Sequence, residues 1–505
     1  MLVSRPLLVM RRHRLRIVLS LLGVGALFGA LPACGGGDSG SVTPGAAGSS
    51  TATDDGASGR GSGDDGGSPA VGGPGASSML PASGAGGGAS APASNVDAGG
   101  GAAGDGAGLD VDEQAWVFDP SALHTYELSL DPEVWAALQL AARDEEYAEA
   151  DLVAAGQALG RVGLRFKGSS GTLTSCFADD GTPRCSKLSI KLKFDEYLPD
   201  QRFFGLKRLN FNSMLFDDSL LHERLAYRLY KEMGLVAPRS THARLVVNGE
   251  DWGVFSLVED VDGRFTHHHF DGGDGNLYKE AWPGNADDAV LAEALETNAD
   301  VADNSGFLAF QQALLGASAG ELLGVAERYL DVDATLAYLA IDQSISNWDG
   351  ATAFYCYSAD DCQNHNYYWY QHDGEPRFVL IPWDLDNTFE PSPLTGVPGL
   401  FEPQADCSLR FDAMGRTLRA PACDPLLSGL TSGGSARYAA QLDRLLAGPF
   451  APGVIEGWVD ELEAQLAPEV KTDTRGPDFA TFEAAVARLR DAVGSLRERA
   501  RAERL

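Results

Sequence analysis

The sequence predicts an α+β protein of two lobes, the first rich in sheet and the second in helix, and three observations carry the prediction. Between Leu123 and Asp262 apolar residues alternate along short segments, the period of half-buried strands. Beyond Phe307 they recur at three- and four-residue spacing, the period of amphipathic helices. The helical stretch is interrupted by Tyr367-Tyr-Trp-Tyr370 and Phe378-Val-Leu-Ile381, which read as a strand pair turning at His372-Asp-Gly374. A site is expected in the cleft between the lobes.

The elements follow in order. Tyr126-Glu-Leu-Ser-Leu130 alternates, and Asp131-Pro132 then caps a helix through Leu140. Arg161 to Lys167 and Lys187 to Phe194 alternate again, and Leu206 to Phe211 is a further strand. Asp217-Asp-Ser219 caps a helix from Leu220 to Met233 that stops at Gly234. Ala243 to Val258 forms two strands around Asn248-Gly249, a pair that accepts the positive φ of a tight hairpin turn. In the second lobe helices are expected over Phe307–Leu315, Gly320–Leu330, Ala334–Ser346, Ala436–Leu446, Val454–Leu466 and Phe479–Arg501.

Ahead of these elements lies a different kind of chain. A basic start (Arg5, Arg11, Arg12, Arg14, Arg16), an apolar run from Ile17 to Leu31 and the ending Leu31-Pro-Ala-Cys34 read as an export signal of the lipoprotein type over residues 1–33, with lipid on Cys34. An ordinary secretory signal ending in cysteine is the competing reading. Residues 34–112 are nearly all Gly, Ala, Ser, Pro and Asp and cannot bury enough surface to fold, so they are expected to be a tether. Residues 113–262 and 263–505 are assigned to the two lobes. Loss of the five arginines before Cys34 takes the formal charge from −32 to −37, which argues against nucleic acid as a partner. The other six of the seven cysteines fall as close pairs, Cys176 with Cys185, Cys356 with Cys362 and Cys407 with Cys423, and local disulfides are expected in an oxidising compartment.

The second lobe gathers polar residues: Asn347-Trp-Asp349 at a helix end, Asn364-His-Asn366 before the first hairpin strand and Asp384-Leu-Asp386 after the second. Hairpin geometry makes Asn366 and Asp384 neighbours, and carboxylates with amides at strand ends suit Mg²⁺ or Ca²⁺. Helix and turn capping is the competing use of such residues. In the first lobe Lys187, Lys191 and Lys193 share a strand face with Ser189, beside Arg165 and Lys167, and this face suits phosphate or plain solvent. His267-His-His269 reads as an exposed loop, because three consecutive imidazoles cannot all face one ion.

Across residues 120–500 the motifs Arg165-Phe-Lys-Gly168, Lys187 to Phe194, Asp218-Ser-Leu-Leu-His-Glu-Arg-Leu-Ala226, Val247-Asn-Gly-Glu-Asp-Trp-Gly253, Glu259, Gly275-Asn-Leu-Tyr-Lys279, Asn347-Trp-Asp-Gly350, Asn366-Tyr-Tyr368 and Pro382-Trp-Asp-Leu-Asp386 resemble, in order and spacing, the CotH (spore-coat protein H) kinase family. The resemblance implies a divergent protein-kinase-like fold that transfers the γ-phosphoryl group of ATP, with Mg²⁺ or Mn²⁺, to Ser or Thr hydroxyls of a protein. It implies Asp349 as catalytic base, Asp384 and Asn366 as metal ligands, and Asp386 as a third ligand or a turn cap. Lys187, with Lys191 or Lys193 as alternatives, takes the phosphates; Glu223 is of the type to pair with such a lysine, and Glu259 lies near the inter-lobe connection. There are departures: the folded region has no Gly-x-Gly-x-x-Gly loop, leaving Gly168-Ser-Ser-Gly171 to cover phosphates, and His222 stands where the family more often has arginine. An exported, lipid-anchored, monomeric envelope kinase is the expectation, and a surface-displayed binding or adhesion protein of the same fold is the alternative.

Overall fold

The computed structural model describes residues 114–168, 172–178, 181–301, 303–359 and 361–503. The expected signal, Cys34, the tether and Ser169 to Gly171 lie outside them. In the first part run β1 (His124–Ser129), α1 (Pro132–Leu140), β2 (Ala148–Ala154), β3 (Gln157–Phe166), α2 (Thr172–Ser175), β4 (Ile190–Lys193), β5 (Arg208–Asn212), α3 (His222–Glu232), β6 (Ser240–Val247) and β7 (Glu250–Glu259). Asp131 caps α1 through the N–H groups of Glu133 and Val134, with Pro132 pre-set at its start.

The strands do more than form a half-buried sheet. In the order β1-β2-β3-β4-β5-β7-β6 they close into a barrel, because β1 pairs in parallel with β6 from His124 opposite Ala243 to Leu128 opposite Val247. Closure leaves no strand edge unpaired. Alternation fills the interior with Tyr126, Leu164, Ile190, Leu192, Phe211 and Phe255, all without solvent exposure. Strand β7 is buried on both faces: Phe255 and Leu257 join the barrel core, while Val254 and Val258 join the core of the second part. One strand thus ties the two cores together.

Gly253 sits where that tie is tightest. Its φ is +83°, and an added Cβ would stand 2.3 Å from the Asp473 carboxylate, which accepts the Val254 N–H at 2.9 Å. Gly253→Ala is therefore expected to cost about 2–4 kcal/mol through strain and displacement of that carboxylate. A denaturant midpoint unchanged from wild type would contradict it.

The second part comprises α4 (Gly263–His269), β8 (Asn276–Lys279), α5 (Asp288–Ala294), α6 (Ser305–Leu315), α7 (Leu322–Tyr329), α8 (Val332–Ser344), β9 (Phe354–Cys356), β10 (Cys362–Gln363), β11 (Tyr367–Gln371), β12 (Phe378–Pro382), β13 (Phe411–Ala413), β14 (Arg416–Arg419), α9 (Pro425–Ala447), α10 (Val454–Val470) and α11 (Phe479–Ala502). The expected hairpin is β11–β12, and β8 adds to its other side to give the order β12-β11-β8. Strands β10-β9-β14-β13 form a separate sheet. Helix α9 begins at Pro425, well before the expected Ala436, because Asp424 caps it through the Leu427 N–H. Its glycine-rich start obscures helical character in the sequence, yet Gly429 and Gly433 are what let it lie against Leu322 and Leu323 of α7. The three disulfides pair as expected, Cys176–Cys185, Cys356–Cys362 and Cys407–Cys423.

Candidate active site

The register of the three-stranded sheet decides what meets at its end. Tyr367 lies opposite Pro382, and Tyr368 opposite Lys279, so Glu280, Asn366 and Asp384 leave β8, β11 and β12 side by side. All three have left-handed backbone, with φ of 55°, 64° and 53°. Asparagine and aspartate enter that region more readily than other non-glycine residues, whereas Glu280 does so only where its surroundings hold it. Here the surroundings are hydrogen bonds: the Trp383 N–H donates to the Asn366 carbonyl at 3.1 Å. The Asn366 N–H donates to Glu280 Oε1 at 3.2 Å, and the Asp384 N–H to the Tyr227 hydroxyl at 3.1 Å.

Asp349 is brought to the same place from the end of α8. Asn366 Nδ2 donates to the Asp349 carbonyl at 2.9 Å and to its Oδ2 at 3.1 Å. The Asp349 carboxylate also pairs with Tyr355 of β9. Asp349, Asn366 and Asp384 therefore converge as the sequence suggested.

Facing them across the barrel surface is a lysine, but not the expected one. Lys167, just past β3, donates from Nζ to Asn212 Oδ1 at 2.6 Å, and Asn212 Nδ2 donates to both carboxylate oxygens of Glu223 at 2.9 and 3.0 Å. Its ammonium stands 5.7 Å from the centre of the Trp383 ring. Lys187 is turned elsewhere, donating to the Val254 carbonyl at 2.5 Å and lying 3.9 Å from Asp473. Burial pushes its ammonium down to about 8, opposed by Asp473 and Asp251. Lys191 pairs with Asp260 at 2.7 Å and Lys193 with Glu196 at 2.6 Å. Arg165 pairs with Glu145, and Glu259 is held by Arg239 and, at 3.1 Å, by His269. Of the expected basic and acidic residues of the barrel lobe, Glu223 is the one the structure brings to the Asp384 end.

Charge at the site is unbalanced. Burial pushes the Glu223 carboxyl up to about 7, and the neighbouring Asp384 charge adds to the effect. Asp386 is driven well above the usual carboxylate range by burial and then by Asp384, Glu223 and Asp349. Burial raises Asp349 also, with Asp384 adding and Tyr355, His365 and Asn366 opposing. Lys167 acts to lower both Glu223 and Asp386. Such a group of carboxylates favours a further cation.

Among the described residues no three His, Cys, Asp or Glu side chains are placed to hold a metal ion by themselves. The donors present are aspartates and the Asn366 amide, the incomplete oxygen set typical where substrate phosphate and water complete the shell of Mg²⁺. The crowded carboxylates and this donor type fit such an ion. The three consecutive histidines do not converge: His267 pairs with Asp274 at 3.0 Å and His269 with Glu259. His222 does reach across, its Nδ1 lying 3.4 Å from the Asp386 carbonyl oxygen.

Asn212, Tyr227, Glu280 and Tyr355 were not singled out from the sequence. Asn210-Phe-Asn212 carried a signal for the first, since two amides on one face of a strand need a partner. Glu280 had none, because its place depends on β8 pairing with β11 across a long stretch of chain.

The family model described as CotH kinase protein matches residues 164–502. Inner spore coat protein H of Bacillus subtilis (strain 168) is 25% identical over 218 residues, 40% of this chain. The chain spans 55% of that protein's length.

Proposed function

The chain belongs to the CotH kinase protein family, and on that premise we propose that it transfers the γ-phosphoryl group of ATP to a protein hydroxyl, with the barrel and the helical part serving as the two lobes of a kinase-like fold. The observation that carries this reading is the pairing of Lys167 and Asn212 on the barrel, with Glu223 of α3, against Asp349, Asn366 and Asp384 opposite. Phosphoryl transfer asks for just such a lysine, metal-binding oxygens and an acid to orient the acceptor.

In this reading Lys167 binds the phosphates and Asn212 with Glu223 orients it. Asp349, fixed by Asn366 and Tyr355, positions the acceptor hydroxyl and takes its proton. The acceptor oxygen bonds to the γ-phosphorus as the bond to the ADP oxygen breaks. Asp384, Asn366 and Asp386 would hold Mg²⁺ or Mn²⁺, which when bound neutralises phosphate charge. Export, attachment through lipid on Cys34, a monomeric state and a substrate offering Ser or Thr hydroxyls belong to the same proposal.

The test is incubation of the protein with labelled ATP and Mg²⁺ or Mn²⁺. Transfer to the chain itself or to an added protein is expected, and Asp349→Ala should reduce it about 10²-fold, the lower end for a general base because the transition state is loose. Wild type that neither binds nucleotide nor transfers label would refute the reading.

A further inference from the structure

Helix α3 turns three polar side chains to one face at four- and three-residue steps, Glu223, Tyr227 and Tyr230, and each touches a different part of the site. Glu223 meets Asn212, Tyr227 accepts from the Asp384 N–H at 3.1 Å, and the Tyr230 hydroxyl donates to Asp342 Oδ1 at 3.1 Å. Asp342 lies in α8 with no solvent exposure and takes no part in the transfer scheme above. The same Oδ1 accepts from Asn347 Nδ2 at 2.6 Å, and the Asn347 N–H donates to the Asp342 carbonyl at 3.0 Å. Asn347 opens the turn that ends in Asp349. Gly350 closes over it, since a Cβ there would stand 2.4 Å from Asn347 Nδ2.

We propose that Asp342 is a positioning residue whose ionised form, acting through Asn347, holds the turn that carries Asp349. Among the described residues no cation compensates Asp342. Tyr338 faces it from its own helix, Tyr230 from α3 and Tyr438 from α9. Arg499 of α11 donates instead to the Gln343 carbonyl at 2.8 Å, and the adjoining strand Phe378-Val-Leu-Ile-Pro382 bears no ionisable group. Among the described residues Asp342 Oδ2 and Asn347 Oδ1 have no hydrogen-bond partner. Burial therefore raises the Asp342 carboxyl to about 7, and the Asn347 and Tyr230 hydrogen bonds hold it from rising further. By linkage those two bonds strengthen when the proton leaves. For an opening of the turn that breaks the Asn347 bond while α3 and α8 keep Asp342 buried, burial acts on both states alike, and the bond holds the turn more firmly above about pH 7 than below it.

Only the catalytic consequence rests on the transfer reading, so the test has two arms. In hydrogen exchange on the full chain, corrected for intrinsic rates, the segment from Ile345 to Ala353 is expected to be about five- to tenfold better protected at pH 8 than at pH 6, the gain of a charge-assisted over a neutral hydrogen bond. Asp342→Asn should show the low protection at both values. Tyr230→Phe, which removes one donor to the ionised form and keeps the fold's apolar contacts, should move the crossover to higher pH. Wild-type protection that is the same at both pH values overturns the proposal. In the transfer arm kcat should follow the same limb while the KM for ATP stays within about twofold. A kcat limb that stays in place in Tyr230→Phe while the exchange limb moves overturns the link to Asp349. A pH-dependent exchange limb in a chain that transfers no phosphoryl group supports the clamp and refutes the transfer reading alone.

Discussion

Asp384→Asn is expected to lower phosphoryl transfer by about 10³-fold, or about 4 kcal/mol of transition-state stabilisation, while leaving the fold at least as stable as wild type. The two halves of the expectation come from the same observation. Asp384 is the shared neighbour whose charge raises Glu223, Asp349 and Asp386 together, so in the free protein it is a source of repulsion. Its backbone N–H bond to Tyr227 does not involve the side chain and survives the substitution. Removing the charge relieves the cluster, and an activity lost without stability lost marks a residue kept for function. The measurement is a pair of melts and a transfer assay. Mg²⁺ with a nucleotide should raise the wild-type melting temperature and leave that of the variant unchanged, because only a species bound to the folded state stabilises it. A variant that is stabilised by Mg²⁺-nucleotide and transfers at the wild-type rate would remove Asp384 from the site.

What the sequence showed of this site, and what it hid, divides along the range of the interactions. The approach of Asn366 to Asp384 was readable because a hairpin is local: two strands and the turn at His372-Asp-Gly374 fix which residues stand at the open end. The helix cap at Asp131, the Asn248-Gly249 turn and the three disulfides were readable for the same reason. The closure of the barrel was not, since β1 and β6 are far apart in the chain and parallel pairing leaves no turn between them. Which lysine stands at the Asp384 end was not either. Lys187, Lys191 and Lys193 share a side-chain period, but β4 spans only Ile190–Lys193, and Lys187 before it is drawn to Asp473 in the connection between α10 and α11. Alternation tells which face a residue takes; it does not tell which carboxylate from a distant segment claims it.

That difference can be measured directly, and it gives the second large effect. Lys167→Met is expected to reduce kcat/KM for ATP by about 10³-fold, as removal of a preorganised positive charge at a transferring phosphoryl group does. Stability should fall by about 1 kcal/mol, because the bond to Asn212 Oδ1 and the charge that offsets Glu223 and Asp386 are lost, while methionine keeps most of the chain beside the Trp383 ring and Asn212 retains both bonds to Glu223. Lys187→Met should do the reverse. Its ammonium is buried between the Val254 carbonyl and Asp473, so the substitution leaves Asp473 without its cation and costs about 2–4 kcal/mol of stability. Asp473 still accepts from the Val254, Arg475 and Gly476 N–H groups, which keeps the loss below that of a fully orphaned charge. Transfer by the folded fraction should stay within about threefold of wild type, because Lys187 contacts none of the residues that surround Asp384. If Lys187→Met abolished transfer in protein shown to be folded, and Lys167→Met did not, the phosphate-binding role would return to the strand where the alternation first suggested it.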